Sequence, residues 1–272
     1  MAKLFDSQQR IVPTWLAALR YLRDIPTHQA YNLVLEIADP QTILASERAL
    51  MAEVDCALES KDNWPLNSVA GTIFPIDLYL RYGRPNFYQR FVDMMARGKA
   101  PGTWGTYAQR MINRRGRNKG EIINPLDLIV QRISNAGQPK EKSFPNSYEL
   151  GIAVPEEDFS YELEEVGAEL PTYCPEIDRN KWFGFACLSH ISLKRVPKGD
   201  GHAVNMTAVY RAHHYCERAL GNLLGLAQLQ WFIAKESKLQ VGTLTCISSY
   251  AELDAGEWGG LAVVDQILDQ PL

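Results

Sequence analysis

Apolar and polar residues recur along this chain with two spacings, one typical of helices and one typical of strands. In the N-terminal third, apolar positions three and four residues apart predict helices over residues 14–25, 46–60, 68–83 and 86–98. The stretch AYNLVLEIADP, residues 30–40, is rich in Val, Leu and Ile and ends at a proline, which predicts a strand. The chain therefore begins with helices that flank a strand.

The later parts of the chain carry clearer boundary signals. The segment 124–136 opens with Asn and then Pro, a pair typical of the N-cap and first residue of a helix. Strand-like residues on both sides of PKGDGH, residues 197–202, predict a β-hairpin whose second strand ends near Arg211. An almost purely apolar helix is expected over residues 223–236, and a further strand over residues 241–254.

No internal repeat and no long linker divides these elements, so we expect a single α+β domain over residues 1–272. The composition is that of an ordinary globular chain, with 46% hydrophobic and 22% charged residues and a net charge of −4. An acidic chain does not attract nucleic acid or an anionic membrane, and neither is expected as a partner. No apolar run approaches the roughly 20 residues that a membrane-spanning helix needs.

Cysteine usage and the N-terminal residues indicate a compartment. The five cysteines form no CxxC pair, and their number is odd. The first residues, MAKLFDSQQRIVPTW, lack the long apolar core of a signal peptide. We therefore expect a cytoplasmic protein with reduced thiols.

Ionisable side chains are concentrated in RAHHYCERALGN, residues 211–222, directly before the apolar helix. On a helix, His213 and His214 would each lie within four residues of Glu217, so a shared metal ion is one interpretation. The spacing is not a standard zinc motif, and no second Cys/His cluster completes four ligands. Histidines that make hydrogen bonds at the first turn of a helix are the other interpretation, and no metal ligand is assigned.

A cysteine and an arginine provide a second kind of candidate chemistry. Cys187 follows the apolar residues WFGFA and is either a buried core thiol or a nucleophile activated by a nearby positive charge. Arg211 ends a strand after the apolar residues AVY, where its charge calls for an anionic partner. The predicted hairpin between them would bring Cys187 and Arg211 close together.

From Cys187 to about Asp254 the chain resembles thymidylate synthase and the related pyrimidine-nucleotide hydroxymethylases. In that family a catalytic cysteine and a hairpin precede a phosphate-binding arginine, which is followed eleven residues later by an asparagine that reads the pyrimidine ring. Here Cys187, the PKGDGH hairpin, Arg211 and Asn222 stand in that order, and Asn222 lies eleven residues after Arg211. A long apolar helix and a Val-Gly step at Gly242 complete the pattern. Upstream, GTWGTYAQRM is similar to the family's substrate-facing tyrosine segment and offers Tyr107.

The resemblance implies a fold, a reaction and an assembly. The fold would be α+β, a large mixed sheet flanked by helices that include one long buried helix, and the protein would be a homodimer packed sheet to sheet. The activity would be that of a transferase in nucleotide biosynthesis that adds a methyl or hydroxymethyl group to C5 of a pyrimidine nucleotide. Cys187 would be catalytic, Arg211 would bind phosphate, Asn222 would favour a uracil-type ring, and 5,10-methylenetetrahydrofolate would be the one-carbon donor.

Several positions differ from the family where the nucleotide is bound. Ala212 replaces a serine that touches phosphate, and His214 replaces an aspartate, so His214 is a candidate substrate contact. The family's His-x-Tyr pair, which holds the sugar, falls on Glu252 and Asp254, two carboxylates able to accept hydrogen bonds from sugar hydroxyls.

Further departures bear on turnover. Gly71 falls near the place of a glutamate that assists proton transfer, and Lys140 and Lys142 stand in for the two arginines that a partner subunit lends to the phosphate. The sequence therefore leaves two functions open: an active one-carbon transferase, and a catalytically inactive nucleotide-binding or regulatory protein on the same fold. It also leaves open the base, the sugar and the choice between methyl and hydroxymethyl product.

Overall fold

The computed structural model describes residues 3–5, 9–98, 105–115, 121–135, 149–151 and 186–271. Its helices are α1 (Ile11–Asp24), α2 (Ala45–Glu59), α3 (Leu66–Ile73), α4 (Ile76–Tyr82), α5 (Asn86–Gly98), α6 (Tyr107–Ile112), α7 (Pro125–Asn135), α8 (Leu220–Glu236) and α9 (Leu261–Leu268). Its strands are β1 (Lys3–Leu4), β2 (Gln29–Ile37), β3 (Arg114–Arg115), β4 (Ile122–Ile123), β5 (Glu149–Gly151), β6 (Leu188–Lys198), β7 (Gly201–Tyr210), β8 (His213–His214) and β9 (Gln240–Glu252).

Most of the predicted helices and strands are confirmed, including the hairpin β6–β7 and the long helix α8. One prediction is wrong, because the single helix expected over residues 68–83 is two helices, α3 and α4. Pro75 separates them: proline has no backbone N–H to donate and disfavours helical geometry in the residue before it. The cap predicted at Asn124 is confirmed, since its Oδ1 accepts the backbone N–H of Asp127 at 2.9 Å.

The main sheet has the strand order β1-β2-β9-β7-β6-β5, with β8 paired beside β9. It is mixed: β7 runs parallel to β9, whereas the pairs β2/β9 and β6/β7 are antiparallel. Helices flank this sheet, so the α+β class is confirmed. Within the described ranges, no helix combines the length and the apolar character that a membrane crossing requires.

Helix α8 is apolar on nearly all sides because it lies between the sheet and α3. Two glycines allow the close approach of α8 to α3. A Cβ atom at Gly225 would lie 2.7 Å from the backbone oxygen of Ala70, and one at Gly221 would lie 2.7 Å from the side chain of Val69. Any larger residue at either glycine would force the two helices apart.

A β-bulge interrupts the pairing of β7 with β9. Val204 pairs with Val241 and Met206 pairs with Leu244, so β9 has one residue more than β7 between these pairs. Beyond the bulge, Leu244 and its partner Met206 both point into the core.

Polar side chains satisfy the backbone groups that the bulge leaves without strand partners. The Asn205 Oδ1 accepts the backbone N–H of Thr243 at 3.0 Å. From α8, the buried Gln230 Nε2 lies 2.8, 3.2 and 3.1 Å from the carbonyl oxygens of Val204, Gly242 and Thr243. A Cβ atom at Gly242 would lie 2.1 Å from the Asn205 Oδ1, so this position requires glycine.

Candidate functional site

Cys187 and Arg211 lie side by side where the hairpin strands β6 and β7 meet their neighbouring loops. The backbone N–H of Arg211 donates to the carbonyl oxygen of Cys187 at 2.9 Å. The contact is a continuation of the β6–β7 ladder beyond the Leu188–Tyr210 pair. The prediction that the hairpin brings Cys187 and Arg211 together is confirmed.

Tyr107, the first residue of α6, joins this pair from a distant part of the chain. Its hydroxyl oxygen accepts the backbone N–H groups of Cys187 at 3.1 Å and Leu188 at 3.3 Å. The Thr106 side chain caps α6 by accepting the N–H of Gln109 at 3.2 Å, which fixes where the helix begins. Burial, and next the charge of Cys187, raise the pKa of Tyr107 to about 12, so at neutral pH its hydroxyl keeps its proton.

The Cys187 thiol experiences opposing electrostatic effects. Burial raises its pKa, while the positive charges of Arg211 and Arg218 act in the opposite direction and the negative charge of Glu217 adds to burial. Burial is the largest effect, so the net pKa lies above that of an ordinary thiol. Two cations near one thiol are the arrangement that would stabilise its thiolate.

Arg218 is a residue of this site that the sequence interpretation missed. Its Nη2 lies 2.5 Å from the Glu217 Oε1, and its guanidinium stands over the Trp64 ring, 5.3 Å from the ring centroid. The available signal was its spacing, because Arg218 precedes Asn222 by four residues and an arginine is unusual at the start of a buried helix.

Asn222 lies near the start of α8 and is 5% exposed. Its amide Nδ2 lies 3.2 Å from the His213 Nε2. On the other side of the imidazole, the His213 Nδ1 lies 2.9 Å from the Ser248 Oγ. The residue expected to read a base is therefore part of a buried chain of hydrogen bonds.

His213 is held on its ring faces as well as at its nitrogens. The Tyr210 ring stacks on it with centroids 4.1 Å apart and an interplanar angle of 3°, and the Tyr215 ring meets it edge-on at 5.3 Å. Burial lowers the pKa of His213 to about 3, so the imidazole is neutral at physiological pH. His213 thus makes the hydrogen bonds that one interpretation expected, although it makes them from a short strand and not from the first turn of a helix.

The helical spacing assumed for a metal site is not present. His213 and His214 form the short strand β8, and a π-helical turn, Tyr215–Ala219, follows before α8. In the part of the chain that the structure describes, no group of three or more His, Cys, Asp or Glu side chains could hold a metal ion.

His214, Glu252 and Asp254 lie near the start of the π-helical turn but have different contacts. The His214 Nδ1 lies 4.0 Å from the Glu252 Oε2, which also accepts the hydroxyl of Tyr250 at 3.0 Å. Asp254 instead caps the turn, with its two oxygens accepting the backbone N–H groups of Cys216 at 2.8 Å and Glu217 at 3.1 Å. A sugar contact by Glu252 or Asp254 stays a prediction, and at Asp254 it competes with this cap.

Tyr210 connects the two groups of candidate residues. Its ring stacks on His213, which contacts Asn222. Burial raises the pKa of its hydroxyl, and the charges of the nearby Tyr107, Cys246 and Cys187 raise this pKa further. Cys187, Arg211 and Tyr107 thus form one group, and Asn222 belongs to an adjoining buried one. Lys140 and Lys142 lie outside the described residues.

No protein-family model matches the chain, and no curated protein matches it.

Proposed function

We propose that the chain is a thymidylate-synthase-like transferase that adds a one-carbon unit to C5 of a pyrimidine nucleotide. One observation carries this proposal: a backbone hydrogen bond of 2.9 Å holds Arg211 beside Cys187, near enough for the guanidinium charge to act on the thiol, and the Tyr107 hydroxyl contacts the same residue. A nucleophile next to a fixed cation suits a substrate that has both an electrophilic ring and a phosphate.

The chemistry assigned to Cys187 is nucleophilic catalysis. Its thiolate would form a bond to C6 of the ring while the C5–C6 double-bond pair moves onto C5 and the C4 oxygen. C5 would then accept the one-carbon unit as the bond between this unit and its donor breaks. Loss of the C5 proton and cleavage of the Cys187–C6 bond would restore the C5–C6 double bond and return the thiolate. Arg211, which is exposed at the strand end, would bind the 5′-phosphate and stabilise the thiolate.

Tyr107 and Asn222 have supporting roles in this proposal. The Tyr107 oxygen accepts two backbone N–H groups and retains its own proton, so it positions Cys187 and can donate a hydrogen bond toward the site. Asn222 presents an amide, which both donates and accepts, to the ring edge of a uracil-type base.

The donor implied by the family is 5,10-methylenetetrahydrofolate, which when bound supplies a one-carbon unit and, for a methyl product, the reducing hydride. Trp64 fits a flat, apolar donor because its indole is 56% exposed and lies against Arg218, whose charge acts on Cys187. Trp64 would hold the ring system of such a donor by stacking.

The same proposal includes a thymidylate-synthase-like fold and a homodimer formed sheet to sheet. One face of the sheet is buried under helices, whereas side chains of the other face are partly or fully exposed. A row across the four central strands contains Ser192, Thr207, Thr245 and Glu36, which are paired in register. Ser192, Thr207 and Thr245 have short side chains in register, which suits the close packing of one sheet on a second copy.

The test is covalent capture. Incubation with 5-fluoro-2′-deoxyuridine monophosphate and methylenetetrahydrofolate should give a stable ternary adduct, because fluorine at C5 cannot leave as a proton does. Intact-mass measurement should find this adduct on the wild type and on Cys56→Ala, an exposed-cysteine control, but not on Cys187→Ala. An adduct that persists in Cys187→Ala, or no adduct with any pyrimidine monophosphate, contradicts the proposal.

A nucleotide-binding protein without turnover is the second candidate, and Gly71 favours it. Gly71 lies in α3 near the position of the family's proton-transferring glutamate, and it supplies no carboxylate. Binding of pyrimidine monophosphates without adduct would support this second function. A Cβ at Gly71 would meet nothing within 4 Å, so a side chain can begin there without a clash at its Cβ, and Gly71→Glu tests whether the carboxylate alone restores turnover.

A further inference from the structure

Residues 254–257 follow β9 and hold two other parts of the chain in place. The first is the π-helical turn that carries Arg218. The two carboxylate oxygens of Asp254 accept the backbone N–H groups of Cys216 at 2.8 Å and Glu217 at 3.1 Å. Backbone N–H groups at the start of a helical turn have no partner within the turn, so these contacts stabilise it and fix the backbone from which Arg218 extends.

The second part is the loop between α2 and α3, which carries Trp64. The Asn63 Nδ2 donates to the backbone oxygen of Glu257 at 3.2 Å and to its Oε2 at 2.9 Å. The Asn63 backbone N–H donates to the carbonyl oxygen of Leu58 at 3.0 Å, at the end of α2. Because Asn63 directly precedes Trp64, these bonds fix the position from which the indole extends.

The two anchored parts meet in a cation–π contact. The Arg218 guanidinium stands over the Trp64 ring, 5.3 Å from the ring centroid, and both side chains are partly exposed. A cation–π contact in water is weak, and an arginine side chain loses much conformational freedom when it is held in one place. The contact therefore forms reliably only if the two backbones are already held at the right separation.

The position of the guanidinium matters because it belongs to a pair of opposite charges. The Arg218 Nη2 lies 2.5 Å from the Glu217 Oε1. The Arg218 charge favours the Cys187 thiolate and the Glu217 charge opposes it, and Arg218 has the larger effect. The combined effect of two paired charges depends on which of them lies nearer to the sulfur, so a small displacement changes it.

We propose that Asp254 and Glu257 are positioning residues for Arg218. By holding the π-helical turn and the loop in register, they keep its guanidinium closer to Cys187 than the carboxylate with which it is paired. The proposal gives Asp254 a function inside the protein, where the sequence resemblance suggests a sugar contact. It rests on the proposed function only for the use of the thiol as a nucleophile, and the arrangement itself is testable without a nucleotide.

The first experiment measures the acidity of the thiol. The pH profile of Cys187 alkylation by iodoacetamide, followed by peptide mass spectrometry, separates the thiolate fraction from accessibility, which changes only the limiting rate at high pH. At pH 8 the thiolate fraction should fall about three- to tenfold in Arg218→Gln. It should fall about twofold in Asn63→Ala, which removes both contacts to Glu257 without changing any charge.

A double-mutant cycle shows whether the anchor acts through the guanidinium. In the Arg218→Gln background, Asn63→Ala should cause no further fall in the thiolate fraction, because the charge that it displaces is already absent. Glu257→Gln retains a side-chain oxygen for the Asn63 amide and should keep the wild-type fraction, whereas Glu257→Ala should lower it. Asn86→Ala, which removes an exposed amide from the start of α5, is the matched control and should change nothing.

Asp254→Asn tests the other anchor by the sign of its effect. Loss of a carboxylate near the site would by itself favour the thiolate, whereas a weakened anchor should lower the thiolate fraction. This variant keeps one acceptor oxygen for the turn, which limits the damage to folding. A thiolate fraction that rises or stays the same in Asp254→Asn would contradict the role of Asp254.

The remaining outcomes also decide the proposal. It is overturned if Asn63→Ala has the thiolate fraction of the wild type, or if the fall persists undiminished in the Arg218→Gln background. An unchanged fraction in Arg218→Gln itself would also overturn it. If the expected changes are found but no pyrimidine nucleotide forms an adduct on Cys187, the proposed function fails and the positioning of Arg218 stands.

Discussion

Arg211 contributes to the Cys187 region through two separate groups. Its backbone N–H holds the Cys187 carbonyl at 2.9 Å, and its guanidinium charge counteracts the effect of burial on the thiol. Only the second contribution disappears when the side chain is replaced, since the backbone bond does not depend on it. The electrostatic contribution can therefore be measured without disturbing the hairpin.

The variant Arg211→Gln should make the Cys187 thiol less reactive. Removing the positive charge leaves burial less opposed, so the pKa rises further and less thiolate is present at pH 8. Alkylation of Cys187 by iodoacetamide, followed by peptide mass spectrometry, should slow by roughly three- to tenfold, since one pKa unit corresponds to a factor of ten. The control Arg97→Gln, an exposed arginine on α5, should leave the rate unchanged, and equal rates in Arg211→Gln and the wild type would refute this assignment.

The neutral His213 should make stability depend on pH. Its pKa is about 3 in the folded state and about 6.5 when exposed in the unfolded state, so below pH 6.5 the unfolded chain binds a proton that the folded protein does not. Stability contributed by this residue is thus present above pH 6.5 and is lost as the pH falls toward 3. Urea unfolding at pH 7 and pH 5 should show a loss roughly 2 kcal/mol greater for the wild type than for His213→Phe. Identical losses would mean that His213 is protonated in the folded protein.

At this scale one contact between candidate residues could be predicted from the sequence and another could not. The Arg211–Cys187 contact followed from the hairpin, because antiparallel pairing makes positions across a turn adjacent. The contact of Asn222 with His213 could not be predicted, since it depends on a two-residue strand and a π-helical turn that have no sequence signature.

The packing of α8 on α3 depends on the glycines of α8. At Gly225 the neighbouring atoms belong to the backbone of Ala70, which cannot rotate away as a side chain can. Gly71, on the facing helix α3, has open space around the position of a Cβ. Two substitutions of the same kind, one on each helix, should therefore have opposite effects.

Gly225→Ala should lower the free energy of unfolding by about 1–3 kcal/mol, because the added methyl group forces α8 away from α3. Gly71→Ala should raise it by roughly 0.5–1 kcal/mol, because alanine favours the helix and meets no neighbour. Chemical denaturation of both variants measures the difference. A neutral Gly225→Ala would show that the interface between the helices is looser than described.

Predicting the elements from the sequence succeeded where the apolar periodicity is long, as at α1 and α8, and where the cap is explicit, as at α7. It failed at Pro75, where the apolar pattern continues without interruption although the helix ends. Pattern and backbone chemistry disagree at that proline, and the missing N–H decides the outcome.

For the whole molecule, the class of fold was accessible from the sequence, and the assembly is still a proposal. If the exposed face of the sheet forms the homodimer, Thr207→Arg should produce a monomer, because a long charged side chain cannot be buried between two packed sheets. Sedimentation velocity should give about half the wild-type mass, with Ala49→Arg on the exposed side of α2 as a control that remains dimeric. A wild type that sediments as a 30.7 kDa monomer would contradict the dimer.

The order of strands could not be derived from the sequence, because it depends on which distant segments pair. The strand β9 lies between β2 and β7, two strands that are far from it in the chain. Such pairings are decided by the match of whole apolar faces, which local propensity does not record.

The bulge in β9 gives the protein a place where one residue can be lost without a change of register. Val204 and Met206 are two residues apart in β7, whereas Val241 and Leu244 are three residues apart in β9. Removing Gly242 would make the two spacings equal, so Leu244 would stay opposite Met206 and Ser248 would stay beside His213. Removing Thr245, which lies beyond the bulge, would instead reverse the phase of every later position, because side chains along a strand point alternately to its two faces. Ser248 would then turn away from His213, and the hydrogen-bond chain would be lost although each of its residues is still in the sequence.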